Sequence, residues 1–492
     1  MSVNLSVNLP VNPPASAAGS SALTDPLQGT SVRSVRPPRP PRPWWADISA
    51  GAAFVSLVIV SSLWLANGGV SDLAAGTGSA LTSLGRLTGL VAADLLLLQL
   101  LGMARIPWVE RSFGQDRLTR WHRLAGFWSF NLMLAHIVLV TVGYAMTSHT
   151  GVPGQLWDLV STYPGMLLAT AATSLLTAVV VLSIKAARRR LRYESWHLIH
   201  LYAYLGVGLA LPHQLWTGTD FISSPAARAY WWALYIAALG AVLIFRVGVP
   251  LWRTLRHRLE VTAVVEESPG VVSVHLSGRQ LHRLPVRSGQ FFLWRFLHGD
   301  GWSRAHPYSL SAAPHPQMLR ITVKELGDDS RALAAVPPGT RAVIEGPYGR
   351  LTANLQTRPR VTLIAAGIGI TPLRALLEEL RYDAGGATLI YRARSEAELT
   401  FRAELDALAE RRGARIVYLT GRRLVRRDGS ASWLPESFAD VTDAEGLRSL
   451  VPDVAAHDVF LCGPDSWADA AQAAARAAGV PSQHIHEERF SW

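Results

Sequence analysis

"WHRLAGFWSFNLMLAH", Trp121 to His136, decides how the rest of the chain is read. It is apolar enough to span a membrane, yet it carries histidine near both ends. A polar side chain in lipid is costly and usually faces a protein interior for a functional reason. His122 and His136 are 14 positions apart, which on a helix is about 21 Å of rise and about 40° of rotation. They share one face near opposite ends of one span.

Working outward, six apolar runs cover residues 45–66, 81–104, 121–146, 165–184, 197–216 and 229–249. Each is near the roughly 20 residues a spanning helix needs. The fifth, "HLIHLYAYLGVGLALPHQ", supplies His200 and His213, 13 positions apart. An ideal helix sets those two about 140° out of register. Pro212 is the expected remedy, because proline removes an intrahelical bond and can kink or overwind the turn before it. Spans three and five run in the same direction, so His122 is level with His200 and His136 with His213. Two imidazole pairs at two depths are what two bis-histidine haems require. The alternative for any one of them is an interface or packing histidine. His197, one turn before His200, is read as an edge residue.

Two more polar groups lie in the second run. Asp94 is either part of a proton path or a structural hydrogen bond to a neighbouring helix. Arg86, level with His136, either pairs with a propionate or an anionic product, or snorkels.

The chain has 492 residues, 49% of them hydrophobic, 17 Trp and a net charge of +11. That is too apolar for an ordinary soluble enzyme and too long for one domain. The arginines collect beside apolar runs, so the charge reports membrane orientation rather than nucleic acid. Basic loops follow runs two, four and six, while 67–80, 147–164 and 217–228 carry almost no Lys or Arg. Both termini are therefore expected in the cytoplasm. Cys462 is the single cysteine, which excludes an intrachain disulfide and a cysteine-based cluster. Residues 1–43, ending in "VRSVRPPRPPRP", read as a disordered basic cytoplasmic arm.

The expected fold is multi-domain. An all-α six-helix transmembrane bundle (44–254) is followed by an antiparallel β-barrel (255–356) and an α/β parallel-sheet domain (357–492). In the barrel, "HPYSLSAAP" brings His306, Pro307, Tyr308, Ser309 and Leu310, with Tyr308 suited to stack on a flavin. "VKELGDDSRAL" follows, with Lys324, and with Gly327 and Ser330 opening a short helix towards a pyrophosphate. "EGPYG" adds Gly346 and Gly349. In the last domain "AAGIGITP" places Gly367, Gly369, Thr371 and Pro372 at a strand-to-helix turn suited to phosphate. Arg392, Arg394, Arg422 and Arg423 stand at strand ends and favour the 2′-phosphate of NADPH over NADH. "LCGP" sets Cys462, Gly463 and Pro464 near a nicotinamide, the alternative for the thiol being simple packing. Phe490, in the closing "HEERFSW", is the aromatic expected to cover the flavin.

These motifs, in this order, resemble the NADPH oxidase and ferric reductase superfamily in its bacterial form, over approximately residues 45–492. The resemblance implies a six-helix di-haem domain in the inner membrane, with FAD and NADP domains on the cytoplasmic side. It implies that Tyr308 and Ser309 contact FAD, that His306 stands where soluble reductases have arginine, and that Arg86 lies near the outer haem. One departure is Val140, where oxidases place another histidine. No calcium-binding loop is present. The expected activity passes electrons from NADPH through FAD and two b-type haems to an acceptor outside. Oxygen, giving superoxide, leads; ferric chelate, a periplasmic partner protein or a quinone are the alternatives.

Overall fold

The computed structural model describes residues 44–492 except 185–187, 189–192, 300, 301, 427 and 490–492. The arm at 1–43 and the aromatics Phe490 and Trp492 lie outside the described residues, as does the side chain of His197.

The first half is helical: α1 Trp44–Ala66, α2 Gly69–Ala74, α3 Thr77–Met103, α4 Pro107–Phe113, α5 Gln115–Thr147, α6 Val152–Thr162, α7 Met166–Ser183, α8 Tyr193–Thr217 and α9 Pro225–Ala241. A π-helical stretch, Val242–Gly248, continues α9 into α10, Val249–His257. Five helical segments are long and apolar enough to cross a membrane: Trp44–Ala66, Thr77–Met103, Arg117–Thr147, Met166–Ser183 and Pro225–His257. The expected fifth run lies in α8, which is not among them; His200, Pro212, His213 and Gln214 lower its hydropathy. Pro212 stands inside α8, which continues unbroken to Thr217.

Small residues set the spacing of α3 and α5. A Cβ on Gly85 would lie 2.7 Å from a Val140 methyl carbon, and one on Gly143 would lie 2.4 Å from the Thr82 hydroxyl. Backbones approach closely where side chains are small, as membrane helices commonly do. Val140, the departure noted above, fills the groove that Gly85 leaves.

Two sheets follow. The first is antiparallel, with strands β1 Leu259–Ser268, β2 Val271–Ser277, β3 Phe291–Phe296, β4 His306–Ser309, β5 Met318–Lys324 and β6 Arg341–Tyr348 in the order β4-β3-β6-β1-β2-β5. A single bridge between Leu310 and Ile321 links its two edges. The second contains β7 Val361–Ala366, β8 Ala387–Arg392, β9 Arg415–Leu419, β12 Asp458–Gly463 and β13 Ile485–Arg489 in the order β13-β12-β7-β8-β9, all parallel. Every residue of β7, β8 and β12 is buried, the pattern of parallel strands covered on both faces. A hairpin of β10 Arg423–Val425 and β11 Ala431–Pro435 stands beside it.

Candidate functional site

One cavity of about 2100 Å³ runs the length of the helical region and on to the antiparallel sheet. That exceeds the roughly 300–1,000 Å³ of an ordinary small-molecule site. His122, His136, His200 and His213 all line it, so Pro212 leaves both α8 histidines facing one space. The ring centroids of His122 and His200 are 5.8 Å apart. Two imidazoles bound at about 2.0 Å on opposite sides of one metal would have centroids roughly 6 Å apart.

The two pairs are held differently. His136 Nδ1 lies 2.8 Å from the Gly85 carbonyl on α3, and His213 Nδ1 lies 2.6 Å from the Ala210 carbonyl of its own helix. A carbonyl only accepts, so each Nδ1 carries the proton and each neutral ring keeps a lone pair on Nε2. Such a bond orients a metal-binding imidazole. Gly89 makes the first arrangement possible, since a Cβ there would lie 2.6 Å from the His136 ring. In the other pair, His200 Nδ1 is 3.4 Å from Ser183 Oγ and the ring stacks on Trp196 at 5.1 Å. His122 Nδ1 is buried with no hydrogen-bond partner.

Arg86 lines the cavity beyond His136 and is engaged by acids. Nε and Nη2 donate to Asp220 at 2.9 and 2.7 Å, Nη1 donates to Asp72 at 3.0 Å, and Nη2 also reaches the Asn67 carbonyl at 3.3 Å. Asp94 is fully buried and accepts from Ser56 at 2.6 Å and Tyr230 at 3.0 Å. It thus ties α3 to α1 and α9, the structural role weighed for it.

On the antiparallel sheet, His306 and Pro307 line the cavity, and the His306 and Tyr308 rings stack with centroids 6.1 Å apart. Asp329 faces both Arg304, at 2.8 Å, and His306, at 3.6 Å. Ser309 Oγ is buried without a hydrogen-bond partner. Leu310 is fully buried core. Lys324 Nζ stands 4.0 Å from Glu398. The Leu326 and Gly327 amides both donate to Ser330 Oγ, at 2.8 and 3.0 Å. These bonds close the turn that leads into the short helix Asp328–Ala332. Gly346 and Gly349 take φ of 135° and 95°, which only glycine adopts without strain.

On the parallel sheet, Gly367 has φ of 54° and open space where a Cβ would be, whereas a Cβ on Gly369 would strike the Cys462 carbonyl at 2.2 Å. Thr371 Oγ1 donates to the Ile368 carbonyl at 2.9 Å, and Pro372 lies in the first turn of helix Ile370–Glu379. Cys462 is fully buried, and burial raises its thiol pKa well above the usual range, so the thiol is neutral. A Cβ on Gly463 would meet the Trp467 ring at 2.6 Å, and Pro464 caps helix Asp465–Ala477. Arg392 is buried with Nε unpartnered, while its Nη2 reaches the Gly421 carbonyl at 3.3 Å. The Arg394 carbonyl accepts from the Gly421 amide at 3.1 Å, so the turn carrying Arg422 folds back beside both arginines. Arg423 is committed to Ser432 and Ser466.

Sequence reasoning missed two clusters. Arg320 and Arg374 both bind Glu404, Arg320 with two bonds of 3.0 Å, joining the two sheets. Arg105, Glu110, Arg246, Glu345 and Tyr348 meet where the helices meet β6. Arginine-rich flanks were the available signal, but they were absorbed into the orientation argument.

Two family models match parts of the chain. The family described as "Ferric reductase like transmembrane component" matches residues 88–211, and that described as "Oxidoreductase NAD-binding domain" matches residues 363–473. These two matches, in this order, fit the domain architecture of the NADPH oxidase and ferric reductase superfamily. The first match contains His122, His136 and His200 and ends just before His213. The second contains Gly367, Gly369 and Cys462. Among relatives, the ferredoxin reductase component of 3-ketosteroid-9-alpha-monooxygenase from Mycolicibacterium smegmatis is 32% identical over 47% of this chain, which spans 65% of that protein's length. Ferredoxin--NADP reductase B from Sorangium cellulosum is 33% identical over 37% of this chain and 77% of its own. Among solved structures, the FAD/NAD binding domain of a nitric oxide dioxygenase from Vibrio cholerae is 27% identical, covering 47% of this chain and 98% of its own with a TM-score of 0.39.

Proposed function

We propose that this chain is a member of that superfamily and moves electrons across a membrane from NADPH, through FAD and two b-type haems, to an acceptor on the far side, oxygen leading and giving superoxide. The observation that carries the reading is the cavity that joins two histidine pairs to His306 and the EGPYG turn. In this reading residues 44–254 form the haem domain with α8 as a sixth span, 255–356 a barrel-like FAD domain, and 357–492 the NADP domain. The basic loops put both nucleotide domains in the cytoplasm of a bacterial cell.

The bound groups supply the redox chemistry, FAD dividing a hydride's two electrons into single steps and haem iron relaying them. One NADPH yields NADP⁺, a proton and two electrons, which two oxygen molecules take singly. The residues do the rest. His122 with His200, and His136 with His213, would hold the two irons; the Nδ1–H bonds of the second pair leave each ring's Nε2 lone pair available for a metal. Ser309 offers its unpartnered hydroxyl to the flavin edge and Tyr308 covers the ring. Gly367 and Gly369 admit nucleotide phosphates, and Arg392, Arg394 and Arg422 favour NADPH, with NADH the weaker donor. Cys462, Gly463 and Pro464 wall the nicotinamide.

A second reading has a quinone or a periplasmic protein as acceptor. It is favoured by Arg86, whose two carboxylate partners leave its surroundings net negative, a setting that repels anionic ferric chelates. The test is a reduced-minus-oxidised spectrum of the purified chain, followed by NADPH and FAD with each acceptor. Two bis-histidine haems per chain and superoxide production are expected. No cytochrome signature overturns the proposal; haem reduction without superoxide, with turnover on quinone, selects the second acceptor.

A further inference from the structure

The EGPYG turn reads in the sequence as a flavin motif, yet its side chains meet the membrane helices. Tyr348 is buried and its ring lies 4.1 Å beneath the Arg105 guanidinium. Arg105 follows α3, is 7% exposed, and its Nη1 lies 3.2 Å from Glu110 on α4. It has φ of 64°, a conformation uncommon outside glycine. Glu345, also buried, accepts from the Tyr348 hydroxyl at 2.7 Å and stands 3.9 Å from Arg246. Arg246 Nε donates at 3.3 Å to the Met103 carbonyl, one of the carbonyls a helix end leaves without an intrahelical partner. The π-helical stretch that carries Arg246 is a rare feature, and such turns occur often at functional sites. Three further links join the same two regions. Arg253 donates to the Gly346 carbonyl, Arg350 to the Phe113 carbonyl at 3.5 Å, and the Ile344 amide to Thr254 Oγ1 at 3.4 Å.

Burying this many charges is costly unless their geometry is well met, and the best-attested return on that cost is a fixed register between elements. We propose that Arg105, Arg246, Glu345 and Tyr348 are positioning residues: a docking cluster that fixes the antiparallel sheet against the helix ends and so sets electron passage from flavin to the His122 and His200 pair. This rests on the electron-transfer reading above. The turn acts through alignment, and Gly346 and Gly349 let it bend far enough to present Glu345 and Tyr348 to the helices.

The test uses the full chain loaded with FAD and haem, mixed anaerobically with NADPH while flavin and haem absorbance are followed separately. Hydrogen exchange of residues 107–113 and 344–348 is measured alongside. Tyr348→Leu is expected to keep its FAD content, its rate of flavin reduction and its dithionite-reduced haem spectrum. Its flavin-to-haem step falls at least about tenfold, since small misplacements at a reacting centre cost up to about 10²-fold, and exchange rises in both segments. Tyr348→Phe, which keeps the ring under Arg105, stays within about twofold of the parent. Arg246→Met repeats the Tyr348→Leu defect and Arg246→Lys recovers part of it. Loss of FAD in proportion to lost haem reduction would make the turn a flavin site and overturn the proposal. An unchanged flavin-to-haem rate and unchanged exchange in Tyr348→Leu would also overturn it. A parent protein with no haem spectrum sinks the electron-transfer reading instead, and the exchange data then still report docking.

Discussion

The two histidine pairs look equivalent in the sequence and are built differently in the fold. Near Arg86, His136 and His213 each give Nδ1 to a backbone carbonyl, at 2.8 and 2.6 Å. Nearer the sheets, His200 has a hydroxyl at 3.4 Å and an indole face, and His122 Nδ1 has no partner. The cause lies in local sequence. Gly85 and Gly89 strip α3 of side chains where α5 crosses it, so a carbonyl and a ring meet directly. The other pair sits where α5 and α8 run towards basic loops, and packing there does what backbone does at the far pair. The far pair is therefore held by backbone, whereas the near pair is held by packing.

The comparison breaks most sharply by removing one ring at a time. His122→Leu should lose one haem and leave NADPH-driven flavin reduction intact, with the remaining haem unreduced. His136→Leu should lose the other haem, yet the remaining one still reduces while acceptor turnover stops. Haem content by absorbance and anaerobic reduction separate the two, and identical behaviour would remove the ordering of the pairs. Next in size are the backbone supports. In Gly165→Ala the new Cβ would lie 2.8 Å from the His213 backbone at φ of 82°, where the left-handed conformation alone costs about 1–2 kcal/mol. Gly89→Ala drives a methyl against His136. Both should weaken haem binding at the far pair only, and equal loss from both pairs would mean that the bundle had unfolded. A smaller effect belongs to Trp196→Leu, which removes the ring stacked on His200 and with it about 0.5–1.5 kcal/mol. It should shift the midpoint potential of the near haem and leave the far one unmoved.

What was legible in the sequence follows a physical rule. Apolar runs fixed by the length of a bilayer were visible, so runs 45–66 and 121–146 lie within helices Trp44–Ala66 and Gln115–Thr147. The strand-to-helix turn at Gly367 and Gly369 was visible because a parallel strand and a glycine turn have a local signature. The azimuth of His213 was not, since it depends on how α8 lies against α7. The docking cluster was invisible for the same reason at longer range: Arg350 and Phe113 are 237 positions apart, and no periodicity reports such a meeting. Asp220 was also passed over. A lone aspartate in a loop gives no hint that it will bind Arg86 through two bonds, and that pairing is what bears on acceptor charge.

The weakest prop gives the finest test. Ser183 Oγ lies 3.4 Å from His200 Nδ1 and 3.3 Å from Trp196 Nε1, and also donates to the Val179 carbonyl at 2.7 Å. Its proton is thus spent on the helix, leaving lone pairs for the ring N–H groups of His200 and Trp196. In that state Nδ1 of His200 is the donor, the same tautomer the carbonyls impose on the far pair, held by a longer bond. Ser183→Ala should cost no more than about 0.5–1.5 kcal/mol, seen as a small shift in the near-haem potential with haem content retained. A loss of near haem as large as that in His122→Leu would mean that the hydroxyl, rather than packing, orients His200. The contrast between a backbone-held and a packing-held pair would then collapse into two hydrogen-bonded pairs.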